Sequence, residues 1–307
     1  MKDRDAALRV DCRNELGEMP LWCGESATLH WIDVVTPGRV FHWSVETGEI
    51  DFYSFDHLVT GLSLVNGGDL LVHGATDLLR FNPPTGRSRH VWSLPRSSHR
   101  MRLNDGHCDQ AGRLWIGTMS DNIGGNGKPP EVIRNVGQIC AIGPGSCRQF
   151  DTRLGCPNAI CWSPDGRTFY VADSCDGWVY AYEFDLPSAT ISAPRPFYHA
   201  EGLGIPDGAA VDEDGYFWNA RWGAGAVVRI SPGGTLSEIV RVPVSQPTAC
   251  CFGGADRRTL YISSARFALP SERLAVEPFA GGIFAVRTDV PGLALPSFEP
   301  HDVLAAR

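Results

Sequence analysis

Ala209-Ala210-Val211-Asp212-Glu213-Asp214-Gly215-Tyr216-Phe217-Trp218-Asn219-Ala220-Arg221 sets two short runs of small and apolar residues on either side of an Asp-Gly turn. Two such runs around a tight turn read as a β-hairpin. The second run, from Phe217 to Arg221, has five counterparts: Leu29–Asp33, Leu70–Gly74, Leu114–Thr118, Phe169–Asp173 and Leu260–Ser264. Taken in chain order, their first residues are 41, 44, 55, 48 and 43 positions apart. A strand-rich period of about 40–50 residues marks a propeller or an array. A turn precedes most of these runs, as at Gly67-Gly68-Asp69, Asp165-Gly166 and Asp256-Arg257-Arg258.

A second hairpin follows in most units. Gly38 to Trp43 with Glu49 to Phe55 is one, and Gly225 to Ile230 with Leu236 to Val242 is another. Four antiparallel strands in each of six units predict an all-β, six-bladed β-propeller. The repeat covers nearly the whole chain without a linker, so residues 1–307 are expected to form one domain. The sixth unit has Gly281 to Val286 and little strand-like sequence after it. Leu8 to Cys12 is expected to supply the missing outer strand and close the ring.

Bulk composition excludes several classes. A net charge of −8 without a basic cluster argues against a nucleic-acid surface. No stretch approaches the about 18 apolar residues of a membrane span. Met1 to Asp5 lacks the apolar core of a signal peptide, which points to the cytoplasm. The ten cysteines include no CxxC pair, and several fall inside strand runs, so they are expected to be reduced and structural. The nine histidines form no zinc-protease motif.

Ten to twelve residues upstream of each second-strand run lies the start of each innermost strand. In a propeller these positions rim one end of the central channel. Glu18, Asn104, Asn158 and Asp207 are thereby expected to converge from four blades, whereas the positions around Leu62 and Thr248 carry no such side chain. Two carboxylates and two amides form an all-oxygen set suited to a hard divalent cation. Asp-Gly is also ordinary turn chemistry. Asp165-Gly166 and Asp214-Gly215 directly precede a second strand and are read as turns; Asp105-Gly106 and Asp207-Gly208 lie a full strand earlier and are not.

Five stretches carry a resemblance to a known family: Leu16 to Trp22, Arg102 to Gly106, Gly112 to Met119, Pro157 to Gly166 and Pro206 to Asp212. The chain resembles the family of senescence marker protein/regucalcin, gluconolactonase and related sugar lactonases over essentially its full length. The resemblance implies one divalent metal at the channel mouth, held by Glu18, Asn158 and Asp207 with Asn104 close by; Ca²⁺, Zn²⁺, Mg²⁺, Mn²⁺ and Fe²⁺ all suit such a set. It implies substrate contacts from Arg102, Asn104 and Asp121, and a general-base role for Asp207. The implied reaction is hydrolysis of an aldonolactone to the aldonic acid, the partner being a small sugar lactone and the protein a monomer or weak homodimer. Two alternatives stay open: a calcium-binding regulator of regucalcin type, and a related metal-dependent ester or organophosphate hydrolase. Retention of Arg102, Asn104 and Asp121 beside the metal set favours catalysis.

Topology adds one expectation. If each first strand starts at the metal end, the connections after the second strands overhang it. Two of these are long, Ser120 to Val136 and Phe267 to Ala280, and long connections are often lids. Arg221 and Arg266 lie at the same end and are read as either substrate-facing or solubilising. His107 and His199 are read as structural.

Overall fold

A computed structural model describes residues 2–123, 130–199 and 201–299. Six antiparallel sheets follow one another along the chain. Their innermost strands are Gly17–Cys23, Val59–Leu64, Met101–Cys108, Pro157–Trp162, Ile205–Val211 and Pro247–Gly253. Each packs against the next, and the sixth packs against the first, so the sheets close into a six-bladed propeller around one axis. The second strands are Thr28–Asp33, Leu70–Gly74, Leu114–Ser120, Thr168–Asp173, Phe217–Trp222 and Thr259–Ser264, matching the six recurring runs.

Both faces of each blade are covered by neighbours, which explains why the second strands read as nearly continuous apolar runs rather than alternating ones. Each seam between blades holds its own cluster. Leu70 and Val72 pack toward blade 1 with Ile32 and Val40, while the intervening Leu71 packs toward blade 3 with Leu114 and Ile116. Trp115 and Trp218 occupy equivalent buried positions in blades 3 and 5, while Trp31 of blade 1 is buried on the opposite face, against blade 6. Burying each apolar side chain contributes roughly 1.5–3 kcal/mol. Two of the indoles are also tethered: Trp115 Nε1 donates to Asp109 and Trp218 Nε1 to Asp212, each at 2.9 Å. Asp109 and Asp212 also accept backbone N–H groups from the hairpin turn that follows them.

The amino terminus closes the ring. Ala7–Val10 pairs antiparallel with Ile283–Arg287 and is the fourth strand of blade 6. Lys2–Asp5 goes further, pairing in parallel with Leu236–Arg241 as a fifth strand of blade 5. Blade 4 departs from the simple pattern, because Thr190–Ile191 and Arg195–His199 both pair with its third strand, Trp178–Asp185. After blade 6 the chain crosses the channel end opposite the rim positions. Along that crossing Gly292 donates to Arg257, Leu293 to Val211, Phe298 to Leu64 and Glu299 to Gly112.

The connection expected over Phe267 to Ala280 contains a short helix, Ser271–Val276, with Val276 and Phe279 exposed. Its Pro-Ser-Glu start suits a helix, but six residues are too few to show a helical period. Residues 124–129 of the other long connection lie outside the described residues. No helix is long and apolar enough to cross a membrane among the described residues.

Candidate active site

Pairing between first and second strands is interrupted near the rim in all six blades, including the four that carry a candidate donor. The register shifts after Glu18, after Asn158, between Leu103 and Gly106, and between Pro206 and Ala209. A β-bulge bends the strand and re-aims a side chain, which turns these residues toward the axis. Met19 and Ala159, immediately after Glu18 and Asn158, hold φ of 49° and 58°. Such left-handed backbone in a residue with a side chain costs about 1–3 kcal/mol and persists where its surroundings enforce it; both residues are buried.

Glu18, Arg102, Asn104, Asn158 and Asp207 line one cavity of about 440 Å³. Asp105, Asn122, Cys156 and Ser174 join them, with apolar walls from Leu16, Met19, Val34, Ile123, Ile205, Trp222 and Phe267. Phe267 brings the helical connection to the cavity, and Ile123 and Val132 bring both sides of the other long connection. A larger cavity, about 920 Å³, opens at the opposite end among Trp22, Asn66, Asp69 and Leu295, away from these groups.

A chain of hydrogen bonds crosses three blades at the smaller cavity. Arg102 Nη1 donates to Asn104 Oδ1 at 2.6 Å, and Asn104 Nδ2 donates to Asn158 Oδ1 at 3.0 Å. Asn158 Nδ2 donates to Ser174 Oγ at 2.8 Å, which donates to the Pro206 carbonyl at 2.7 Å. The amide oxygen of Asn158 keeps a second lone pair. Arg102 is further held by Asn122 Oδ1 and by its neighbour's carbonyl. Burial lowers its pKa, opposed by Cys156, Asp121 and Glu18; a guanidinium stays protonated regardless.

Glu18 and Asp207 have no ion pair and accept no side-chain donor among the described residues. Burial, then the charges of Asp207 and Asp105, hold the Glu18 carboxyl well above the usual carboxylate range. Burial and Asp105 do the same to Asp207. Buried charge of one sign without a partner is strongly unfavourable. The arrangement fits a divalent cation, whose charge would balance both carboxylates and whose third donor would be the Asn158 oxygen. No three of His, Cys, Asp and Glu gather into a metal-binding group among the described residues, so any such site depends on the amide.

Asp121 stands apart from the cavity lining. Its carboxylate pairs with Arg100 at 2.8 Å and accepts the Ile123 N–H, while its neighbour Asn122 faces the cavity. Arg221 is neither substrate-facing nor solubilising. It is fully buried and donates to the carbonyls of Leu203 and Gly204 and to Asn219 Oδ1. Its place at the metal end was legible but its partners were not, because an arginine in a strand run carries no sign of which backbone oxygens surround it. Ser174 and Cys156 were missed; each adjoins a residue singled out in the sequence, and that adjacency was the only signal. His107 is half-buried 4.0 Å from Asp105, and His199 packs on Trp178. All ten cysteines are free.

Residues 16–266 match the SMP-30/Gluconolactonase/LRE-like region. Regucalcin of Gallus gallus is 30% identical over 304 residues, covering 96% of this chain and 98% of that protein. L-arabinolactonase of Azospirillum brasilense is 31% identical over 300 residues, covering 95% of each. The crystal structure of regucalcin from Agrobacterium tumefaciens, described as a calcium-binding protein, superposes with a TM-score of 0.89 at 26% identity, covering 98% of this chain and 100% of that one. With the repeat, the closed ring and the matched region in agreement, the chain belongs to the SMP-30/gluconolactonase/LRE-like family.

Proposed function

We propose that this protein is a metal-dependent sugar lactonase that hydrolyses an aldonolactone to its aldonic acid. The observation that carries the reading is the pair of carboxylates, half-buried Glu18 and buried Asp207, which have no cationic or side-chain partner among the described residues, beside the Asn158 oxygen and the Arg102–Asn104 pair. Glu18, Asn158 and Asp207 would hold a divalent cation, which would supply Lewis acidity at the lactone carbonyl and lower the pKa of water. Arg102 and Asn104 orient the sugar hydroxyls and ring oxygen. Asp207 takes the proton of the attacking water as general base. Asp121 acts through the connection that carries Asn122 rather than by direct contact. The apolar walls cover the C–H faces of the ring and limit water.

The same donor set supports a second reading, a calcium-binding protein without turnover, favoured by the likeness to regucalcins. Ten free cysteines suit a reducing compartment, and we place the protein in the cytoplasm as a monomer or weak homodimer. The test is acid release from a panel of aldonolactones, followed with a pH indicator, with and without a chelator. Chelator-sensitive release from at least one lactone is expected; cation binding without release from any lactone selects the second reading.

A further inference from the structure

The sixfold register identifies one strand position that differs between blades according to whether they carry a metal donor. In blade 1 Gly17, just before Glu18, pairs with Asp33. In blade 4 Pro157, just before Asn158, pairs with Asp173. In blade 5 Pro206, just before Asp207, pairs with Arg221. The same position in blades 2, 3 and 6 is Gly74, Thr118 and Ser264. Charged residues therefore stand there in the three blades that supply Glu18, Asn158 and Asp207, and neutral ones in the other three.

All three charged side chains are buried and bind backbone rather than one another. Asp33 accepts the N–H groups of Leu16 at 2.8 Å and Glu15 at 3.2 Å. Asp173 accepts those of Gly155 at 2.7 Å and Cys156 at 2.9 Å, and also Cys175 at 3.0 Å. Each aspartate thus holds the residues two and three places ahead of a donor. Arg221 does the converse, donating to the carbonyls of Leu203 at 2.8 Å and Gly204 at 3.0 Å. It also donates to Asn219 Oδ1 at 2.9 Å, and Asn219 Nδ2 donates to the Asp207 carbonyl at 2.6 Å.

We propose that Asp33, Asp173 and Arg221 are positioning residues that clamp the lead-in to each donor strand and so hold Glu18, Asn158 and Asp207 in cation-binding geometry. The inference rests on the metal reading above. Opposite signs at equivalent positions argue for geometry: a direct electrostatic role toward a cation would require negative charge at all three, and Arg221 would oppose binding. What the three share is multiple hydrogen bonds to the backbone just ahead of a donor. Outer residues that orient metal ligands typically change metal affinity ten- to a hundredfold when altered.

The test is calorimetric titration of Ca²⁺ and Mn²⁺ into full-length protein and its Asp33→Asn, Asp173→Asn, Arg221→Gln and Ser264→Ala variants, with unfolding midpoints taken without cation. Affinity is expected to fall by about ten- to a hundredfold in the first three. Ser264→Ala, at the same position in a blade without a donor, is expected to lower the midpoint while leaving affinity unchanged. Should Arg221→Gln fail to fold, Arg221→Lys retains a donor and is expected to give an intermediate affinity. Unchanged affinity in the folded variants overturns the inference and leaves the metal reading intact. Tighter binding in the Arg221 variant also overturns it, because its charge would then outweigh its clamp. Absence of cation binding by the unaltered protein overturns the metal reading and this inference together.

Discussion

The side-chain amide of Asn104, on blade 3, donates to the amide oxygen of Asn158, on blade 4, at 3.0 Å. That bond aims the Asn158 oxygen while Arg102 fixes Asn104 from the other side. Asn104→Ala is expected to lower kcat/KM for a lactone by about ten- to a hundredfold, through loss of its bond from the Arg102 guanidinium and its bond to Asn158. Cation affinity falls less, because Asn158 keeps its bond to Ser174. Steady-state kinetics beside calorimetry checks both, and an unchanged kcat/KM refutes the role.

Stability of the cation-free protein is expected to decrease as pH rises from about 4, the ordinary carboxyl value. The folded-state pKa values of Glu18 and Asp207 are raised, so within that window the native state holds more protons than the unfolded state. The slope of unfolding free energy against pH is then negative, until pH passes the raised folded values. Saturating divalent cation takes the place of those protons and removes this contribution. Urea unfolding across pH with chelator or with Ca²⁺ measures it, and parallel curves refute it.

Ala159→Gly is expected to be less destabilising than Ala172→Gly by about 1–2 kcal/mol. Both alanines are fully buried, so each loses a methyl group, but only Ala159 has left-handed backbone that glycine relieves. Chemical denaturation of the two variants compares them directly. Equal losses would show that the bulge after Asn158 stores no strain.

Asp212→Ala is expected to cost about 3–5 kcal/mol. The Asp212 carboxylate has no exposed surface and gathers Trp218 Nε1, the Arg229 guanidinium and two turn N–H groups. Removing it strands a largely buried guanidinium and a buried indole N–H at once. The change registers in thermal unfolding; a midpoint near that of the unaltered protein contradicts it.

Deleting residues 1–12 is expected to lower the unfolding midpoint and leave blades 5 and 6 each without a pairing strand. Differential scanning calorimetry of the shortened chain decides this, and an unaltered midpoint refutes it.

The architecture was legible because it repeats. One hairpin such as Ala209 to Arg221 is weak evidence, but five further runs in similar register leave few alternatives to a propeller. The same register brought Glu18, Asn104, Asn158 and Asp207 to one cavity. Contacts that depend on which neighbouring atoms a side chain reaches were not legible. Arg221 lies buried among carbonyls from a preceding turn, and Asp121 pairs with Arg100 while Asn122 lines the cavity. The parallel pairing of Lys2–Asp5 was missed too, because a four-residue charged strand carries no alternation to detect. Thr60, not Leu62, follows the register position equivalent to Gly17, a shift that only strand pairing reveals.

The pairing of Ala7 with Ala285 has a consequence for biosynthesis. Residues leave the ribosome from the amino terminus at about 5–20 per second, so the first strand waits roughly 15–60 seconds for its partner. During that interval Ala7–Val10 has nothing to pair with, Lys2–Asp5 gains its partner only once Leu236–Arg241 has been made, and the growing arc keeps open edges exposed to association with other chains. The charged Lys-Asp-Arg-Asp segment keeps the waiting terminus soluble, and its return is the step that converts an open arc into a sealed ring. The ring is therefore sealed late, once Ile283–Arg287 has been made and Ala7–Val10 pairs with it.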